Sequence, residues 1–409
     1  MRILTVLTYY RPHTSGLTIY AERLAKALAK RGHQVTVLTS QFDKSTPLEE
    51  EQDGVRIRRV PVLLRVSKGV IMPSIGRIAS EEIDKHDWLL LHLPQFDAAG
   101  LALRGRLRKK PTVIIYHSDL KLPKGVFNLL VSTVINLAND LAARFTHRIS
   151  SYTEDFASHS PYLRRFADKV RVISPAVELP EATADEVKAF GDKHNPEGHH
   201  PVIAMATRFA AEKGVEVLLK ALPAILAKYP SALVWFAGQY EDVLGEEDYF
   251  ARLMPEIEQY QKTGQWVFLG NLDLRQMAAF YANINVLVVP STNSTETFGF
   301  VQVEAMMNGK PVVASELPGV RQPVRMTGLG RLTPVGDAGR LAENIIEVLG
   351  NLRRKTTDAL ENGKEKAPSP HGAGEQGKLS PDELKREFNS DTCARRHETL
   401  FEEIAEELK

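Results

Sequence analysis

At 409 residues the chain is longer than one hydrophobic core usually organises, which points to two domains of about 200 residues each and excludes a small stapled module. With 43% hydrophobic and 25% charged residues, and 27 Gly and 23 Pro spread along it, the composition excludes a disordered or repetitive polymer. The net charge of +1 conceals a division, because residues 1–180 hold 27 Lys+Arg against 17 Asp+Glu, a net of +10, and the remainder holds 25 against 34, a net of −9.

The opening residues run straight into strand-like sequence with no charged, apolar, small-residue leader, so secretion is not expected. An apolar strand over Ile3–Leu7, a loop Tyr10-Arg-Pro-His-Thr-Ser-Gly16, a helix over Leu17–Lys30 and a strand over Gln34–Leu38 make a βαβ unit. Further strands are predicted at Val55–Arg58, Trp88–Leu91, Thr112–Tyr116, Arg148–Ser150 and Val170–Ile173. Continuous apolar runs such as Val113-Ile114-Ile115 fit a parallel sheet covered on both faces. Between two of these strands lie five cations, Arg104, Arg106, Arg108, Lys109 and Lys110, and beyond them Lys121 and Lys124 precede the apolar stretch Val126–Ala138. That stretch is too short and too interrupted by Asn128, Ser132 and Asn136 to span a bilayer, but it can lie in a membrane interface as an amphipathic helix. The +10 half is expected to face something anionic, and the lack of interleaved aromatics argues against nucleic acid.

A polar stretch, Glu178–His200, with a possible short helix, is the expected linker. The alternation then restarts with strands at Val202–Ala206, Ala232–Ala237, Val267–Leu269, Val286–Val289 and Pro311–Ala314, and helices at Val215–Ala227, Tyr249–Gln261, Leu274–Ala282 and Phe300–Asn308. Residues 354–380 read as a mobile loop, and Pro381–Lys409 as one charged amphipathic helix packing through Phe388, Leu400, Phe401 and Ile404. The single cysteine, Cys393, excludes an internal disulfide, fits a reducing compartment and reads as a small apolar filler.

Ligands of open parallel sheets bind outside the carboxyl ends of the strands, so the loops there are the candidate sites. Gly16 sits in the first such loop, which is not a dinucleotide-binding glycine fingerprint, and His117 follows directly after the strand Thr112–Tyr116. In the second half Arg208 follows a strand and Lys213-Gly214 opens the next helix, two cations that can clamp a diphosphate. The segment Pro290-Ser-Thr-Asn-Ser-Thr-Glu296-Thr-Phe-Gly-Phe-Val-Gln-Val-Glu304 carries two carboxylates about 12 Å apart along a helical axis. That spacing is too wide for a glycosidase pair and suits two ends of one elongated ligand. Amides near Thr297–Phe300 at the helix start would supply an anion site between them.

The Glu-x7-Glu spacing in ETFGFVQVEAMMNGKPVVAS, with RFAAEKGVEVLLKAL about ninety residues upstream and YHSD in the first half, resembles the retaining glycosyltransferases of family 4. The resemblance covers nearly the whole chain. It implies the α/β GT-B fold: two facing Rossmann-like domains, 1–180 on the acceptor side and 181–380 binding the nucleotide sugar, a deep cleft between them, and a terminal helix, 381–409, packing back on the first domain. It further implies that Arg208 and Lys213 bind the diphosphate, Glu304 the ribose hydroxyls, and Glu296 with the amides of Phe298, Gly299 and Phe300 the donor sugar. His117 would stand by the reacting face of the sugar and Gly16 under the phosphates. Catalytic roles fall to Glu296, His117, Arg208 and Lys213. The implied reaction is metal-independent transfer with retention, using a nucleotide-diphosphate sugar as co-substrate and no cofactor. The acceptor is a glycan, a lipid or a small molecule. The implied location is cytoplasmic, with peripheral contact to an anionic inner membrane face.

The sequence departs from the family pattern at Ser15 before Gly16, at Thr207 in place of a common Gly, at Asn285 in place of Asp and at Gln322 in place of Glu. None removes a cation or either glutamate. A sugar-nucleotide epimerase on the same fold and a non-catalytic nucleotide-sugar-binding protein are the alternatives; an NAD dehydrogenase lacks its glycine fingerprint.

Overall fold

The computed structural model describes residues 1–66, 69–120, 125–361 and 378–409. They form two compact units, Met1–Val177 with Glu387–Lys409, and Glu178–Arg386. The first unit begins with β1 (Arg2–Val6), α1 (Gly16–Lys30), β2 (Gln34–Gln41), β3 (Glu49–Gln52), β4 (Val55–Pro61) and a hairpin of β5 (Leu64–Val66) and β6 (Gly69–Ile71). It continues through α2 (Ile75–Lys85), β7 (Trp88–Leu93), α3 (Ala98–Leu107), β8 (Thr112–Tyr116), α4 (Val126–Phe145), β9 (Arg148–Ser151), α5 (Glu154–His159), α6 (Pro161–Arg165) and β10 (Val170–Val172). Eight strands form one sheet in the order β10-β9-β8-β7-β1-β2-β4-β3, parallel throughout except where β3 runs antiparallel to β4. Every residue of β7 and β8 is buried, as expected for central strands covered by helices on both faces.

The second unit holds α7 (Ala184–His194), β11 (Val202–Ala206), α8 (Val215–Lys228), β12 (Leu233–Ala237), α9 (Glu247–Lys262), β13 (Trp266–Gly270), α10 (Leu274–Asn283) and β14 (Val286–Val289). Next come α11 (Phe300–Met307), β15 (Val312–Ser315), α12 (Gln322–Thr327), β16 (Gly330–Thr333) and α13 (Ala338–Glu361). Its six-stranded parallel sheet has the order β13-β12-β11-β14-β15-β16. The polar linker stretch contains α7, which starts with a capping box between Thr183 and Glu186. Helix α13 runs through Lys355-Thr-Thr, which the sequence reading assigned to a loop. Its apolar face, Leu341, Ile345, Val348 and Leu349, packs into the core with α8, and the helix continues through Gly350. The remainder of that expected loop, residues 362–377, lies outside the described residues.

The single terminal helix expected from sequence is two, α14 (Pro381–Glu387) and α15 (Ser390–Glu407). Two bonds make the break, one local and one tertiary: the Asn389 side chain caps α15 by accepting from the Thr392 N–H at 2.7 Å, and the Phe388 carbonyl accepts from the Val177 N–H at 2.6 Å. Helix α15 packs against α1 of the first unit, with Phe401 stacked on Trp88 at 4.5 Å and Arg31 bridging Asp391 and Glu398. Phe388, Leu400, Phe401 and Ile404 are all buried, and so is Cys393.

Candidate active site

Each sheet reverses its strand order at one place, and there the loops leaving two neighbouring strands part to form a crevice. In the second unit this happens between β11 and β14. The loop after β11 carries Arg208 and Lys213, and the loop after β14 carries Glu296. The two loops are laced together: the Thr292 N–H donates to the Glu212 carbonyl at 2.9 Å. Gly214 has φ +71°, and a Cβ on it would stand 2.0 Å from the Pro290 carbonyl oxygen, so only glycine lets the loops meet here. Lys213 Nζ then donates to Glu296 Oε2 at 2.7 Å, and the Arg208 guanidinium donates to Glu212 at 3.4 Å. The sequence supplied the two cations; the structure adds a carboxylate to each, so neither carries an uncompensated charge in the crevice.

Helix α11 starts at Phe300 behind Gly299, whose φ of +77° turns the chain into the helix. Phe298 is buried and its carbonyl accepts from Gln302 Nε2 at 2.9 Å, which fixes the approach to the helix N-terminus, where amides favour an anion. Glu304 lies one turn inside α11, buried, and accepts from the Tyr281 hydroxyl at 2.9 Å. The two glutamates are thus held by different groups, Lys213 and Tyr281. Tyr281 carried no signal in the sequence, because a fully buried aromatic on a helix reads as core. Ser291 was missed too; its Oγ is buried without a hydrogen-bond partner beside the same loop. Asn285 performs a structural task, accepting from the Val202 N–H at 2.7 Å to tie β14 to β11. The Thr207 carbonyl stands 2.1 Å from where a Cβ of Gly238 would be.

In the first unit the reversal falls between β1 and β7. Ser15 caps α1 by accepting from the Thr18 N–H at 3.2 Å, and Gly16 is the first helical residue, exposed. His117 follows β8 at the carboxyl edge, but its side chain is buried and engaged on both nitrogens: Nε2 meets His92 Nδ1 at 2.8 Å and Nδ1 meets the Tyr152 hydroxyl. Burial holds His117 well below the ordinary imidazole range and pushes His92 down to about 3, so both rings are neutral. A neutral imidazole has one donor and one acceptor nitrogen, so the Tyr152–His117–His92 chain has a single direction at a time and ends on His92 Nε2. That nitrogen and Gln95 Nε2 are buried with no hydrogen-bond partner, a condition that costs roughly 1–3 kcal/mol each. Both side chains border a cavity of about 200 Å³ whose walls are mainly apolar, with Leu17, Phe96, Val131 and Ile135 among them. His92 lies inside the apolar strand β7, where a histidine reads as core, whereas His117 follows β8 and stands out.

The stretch expected to be an amphipathic helix is α4. Val126, Leu129 and Leu130 are 88%, 68% and 63% exposed, and Val134 and Leu137 are exposed with them. The basic cluster does not adjoin its first turns. Helix α3 runs from the carboxyl edge of β7 to the amino edge of β8, so Arg104–Lys110 lie at the opposite end of the sheet from Val126. Arg104 also folds back onto Ser80 and Gly100, and Arg108 pairs with Asp84. Lys121 and Lys124 lie outside the described residues. Among the described residues, no helix is long and apolar enough to cross a membrane.

Comparison with known proteins bears on both units. The model of the glycosyl transferases group 1 family matches residues 187–366, and that of Glycosyltransferase Family 4 matches residues 14–181. The chain is 26% identical over 354 residues to a phosphatidyl-myo-inositol mannosyltransferase of Mycolicibacterium smegmatis, covering 85% of each chain. It is 26% identical to an uncharacterized glycosyltransferase of Methanocaldococcus jannaschii over 80% of this chain and 83% of that one. Among solved structures, Anabaena HepE in complex with UDP-glucose superposes with a TM-score of 0.73 at 20% identity, over 98% of this chain and 100% of that one. Sucrose-phosphate synthase of Thermosynechococcus elongatus gives 0.72 at 20% identity, over 98% of each. With the first unit matching one family model, the second matching the other, and GT-B enzymes sharing the fold along the whole chain, this chain belongs to the family 4 glycosyltransferases.

Proposed function

We propose that the chain transfers a sugar from a nucleotide-diphosphate sugar to a lipid acceptor at the cytoplasmic face of a membrane, with retention at the anomeric carbon and without a metal ion. The observation that carries this reading is the Lys213–Glu296 pair, closed over Gly214, because it joins a diphosphate-binding cation to a sugar-binding carboxylate in one crevice. On donor binding, Lys213 and Arg208 turn to the diphosphate, and Glu296 is released to accept from sugar hydroxyls. Glu304, held by Tyr281, accepts from the ribose hydroxyls. As the glycosidic bond lengthens through an oxocarbenium-like transition state, negative charge gathers on the leaving diphosphate. The two cations, once turned to it, and the amides of Phe298, Gly299 and Phe300 stabilise that charge, and the departing phosphate takes the acceptor proton.

The exposed apolar arc of α4 supports a lipid acceptor and peripheral membrane contact, since a water-soluble acceptor gives no reason to expose five large apolar side chains on one helix. The phosphatidyl-myo-inositol in the relative's name is an acceptor of that class. One cysteine in 409 residues fits a reducing compartment. The test is a thermal-shift screen of UDP, GDP and ADP sugars, followed by transfer from the stabilising donor to acceptor vesicles and assignment of the product anomer by NMR. Retained configuration is expected; inversion, or release of a free epimerised nucleotide sugar, would overturn the reading.

A further inference from the structure

The cavity at the β1–β7 crevice combines three features that together specify a ligand. First, two of its buried polar members, His92 and Gln95, each leave a nitrogen without a partner. Second, hydroxyl-bearing Thr8, Ser15 and Thr18 border the same space, so a polar group entering it meets both donors and acceptors. Third, the more open walls, Leu17, Leu120 and Val131, are apolar and only half buried. At about 100° per residue, Val131 and Ile135 sit on α4 about 60° and about 100° round from Val134, the edge of the exposed arc of Leu129, Leu130, Val134 and Leu137. One helix therefore lines the cavity with one stripe and presents an apolar surface with the next. At about 200 Å³ the cavity admits part of a ligand and not a whole lipid.

We propose that this cavity receives the hydroxyl-bearing end of an amphiphile whose apolar chain leaves along α4, and that His92, rather than His117, is the side chain that hydrogen-bonds the ligand hydroxyl. His117 is a positioning residue: with Tyr152 on one nitrogen and His92 on the other, it fixes the tautomer of His92 and hence whether Nε2 gives or takes the hydrogen bond. Gln95 supplies the second contact. Calling this ligand the acceptor rests on the function proposed above; the binding site itself does not.

The full chain, labelled with ¹⁵N-histidine, is titrated with n-octyl β-D-glucopyranoside below its micelle-forming concentration, with octane-1-sulfonate and free glucose as the chain-only and head-only probes. The glucoside is expected to shift the His92 imidazole signals to saturation and to bind at least about tenfold more tightly than either control. His92→Phe and Gln95→Leu should each weaken it at least about fivefold. His117→Phe should move the ¹⁵N shifts of His92 from those of one fixed tautomer to those of a mixture. Should His92→Phe not fold, Gln95→Leu and the His92 signals of the parent still decide. Unmoved His92 signals at saturation, no glucoside binding, or undiminished binding by the variants overturns the proposal. Calorimetric titration of the same sample with UDP, GDP and ADP reports separately on the second unit; no binding of any of the three would sink the donor reading and leave the cavity assignment standing.

Discussion

The two crevices arise from the same topology and are furnished in opposite ways. In the second unit, Lys213, Arg208, Glu296 and Glu212 form partly buried ion pairs on loops pinned by Gly214. In the first, His92, His117 and Tyr152 form a neutral, buried chain that ends on an unpartnered nitrogen beside an apolar wall. A charged ligand is matched by groups that already carry counter-charges and can exchange them. An uncharged hydroxyl on an apolar ligand is matched by groups kept neutral by burial. The sheet decides where ligands go, and the local dielectric decides which chemistry they bring.

This contrast predicts that acid separates the units, and the effect should be the largest seen. His92 is held at about 3 and His397 at about 4 by burial, with His117 also held low. Below the ordinary value of roughly 6.5 the unfolded chain binds protons that the native first unit refuses. Stability is therefore complete above about pH 6.5 and is lost as pH falls, by about 1.4 kcal/mol per pH unit for each such histidine. In the second unit His194 and His200 are also held low, but they are partly exposed. Hydrogen exchange at pH 7 and pH 5 should show β7, β8 and α15 losing protection before β11 and β14. Equal loss in both sheets would break the contrast.

Next in size are the cations. On the proposed function, Arg208→Ala and Lys213→Ala should each lower turnover at least about tenfold, because each would remove a charge-assisted contact of roughly 1.5–3 kcal/mol to the leaving diphosphate. Neither should alter glucoside binding in the first unit. The glutamates sharpen the picture further: Glu304→Ala should weaken nucleoside diphosphate binding in calorimetry, whereas Glu296→Ala should spare it and impair transfer. Equal losses of nucleotide affinity would mean that Lys213 and Tyr281 do not hold opposite ends of the donor.

Much of this was legible in the sequence, for reasons that differ by residue. Strands β8, β11 and β14 were readable to the residue because buried parallel strands are apolar runs with polar ends. The break at Asn389 was not, since a residue able to cap a helix can equally lie within one, and the backbone bond from Val177 that decides it comes from 211 residues away. Cations and carboxylates at strand ends announce themselves by type. Their pairing, Lys213 with Glu296 across 83 residues, is a tertiary fact. His92 and Tyr281 were passed over because a histidine or tyrosine inside an apolar run looks like core; both are core by burial, and only their partners set them apart.

The smallest effect tests one of those partners. The Tyr281 hydroxyl donates to a Glu304 carboxylate that is 7% exposed, so it orients a charged group in a place where water has little access. Tyr281→Phe removes one oxygen and keeps the ring that fills the core, so the fold should persist. The carboxylate keeps its charge but loses a fixed direction, and a hydroxyl pair on a ribose demands direction. Nucleoside diphosphate affinity should fall about three- to tenfold, equivalent to roughly 0.7–1.4 kcal/mol, while turnover at saturating donor stays near that of the parent. A drop in turnover without a change in affinity would move Glu304 from the nucleotide end of the crevice to the reacting end, and with it the division of labour between the two glutamates.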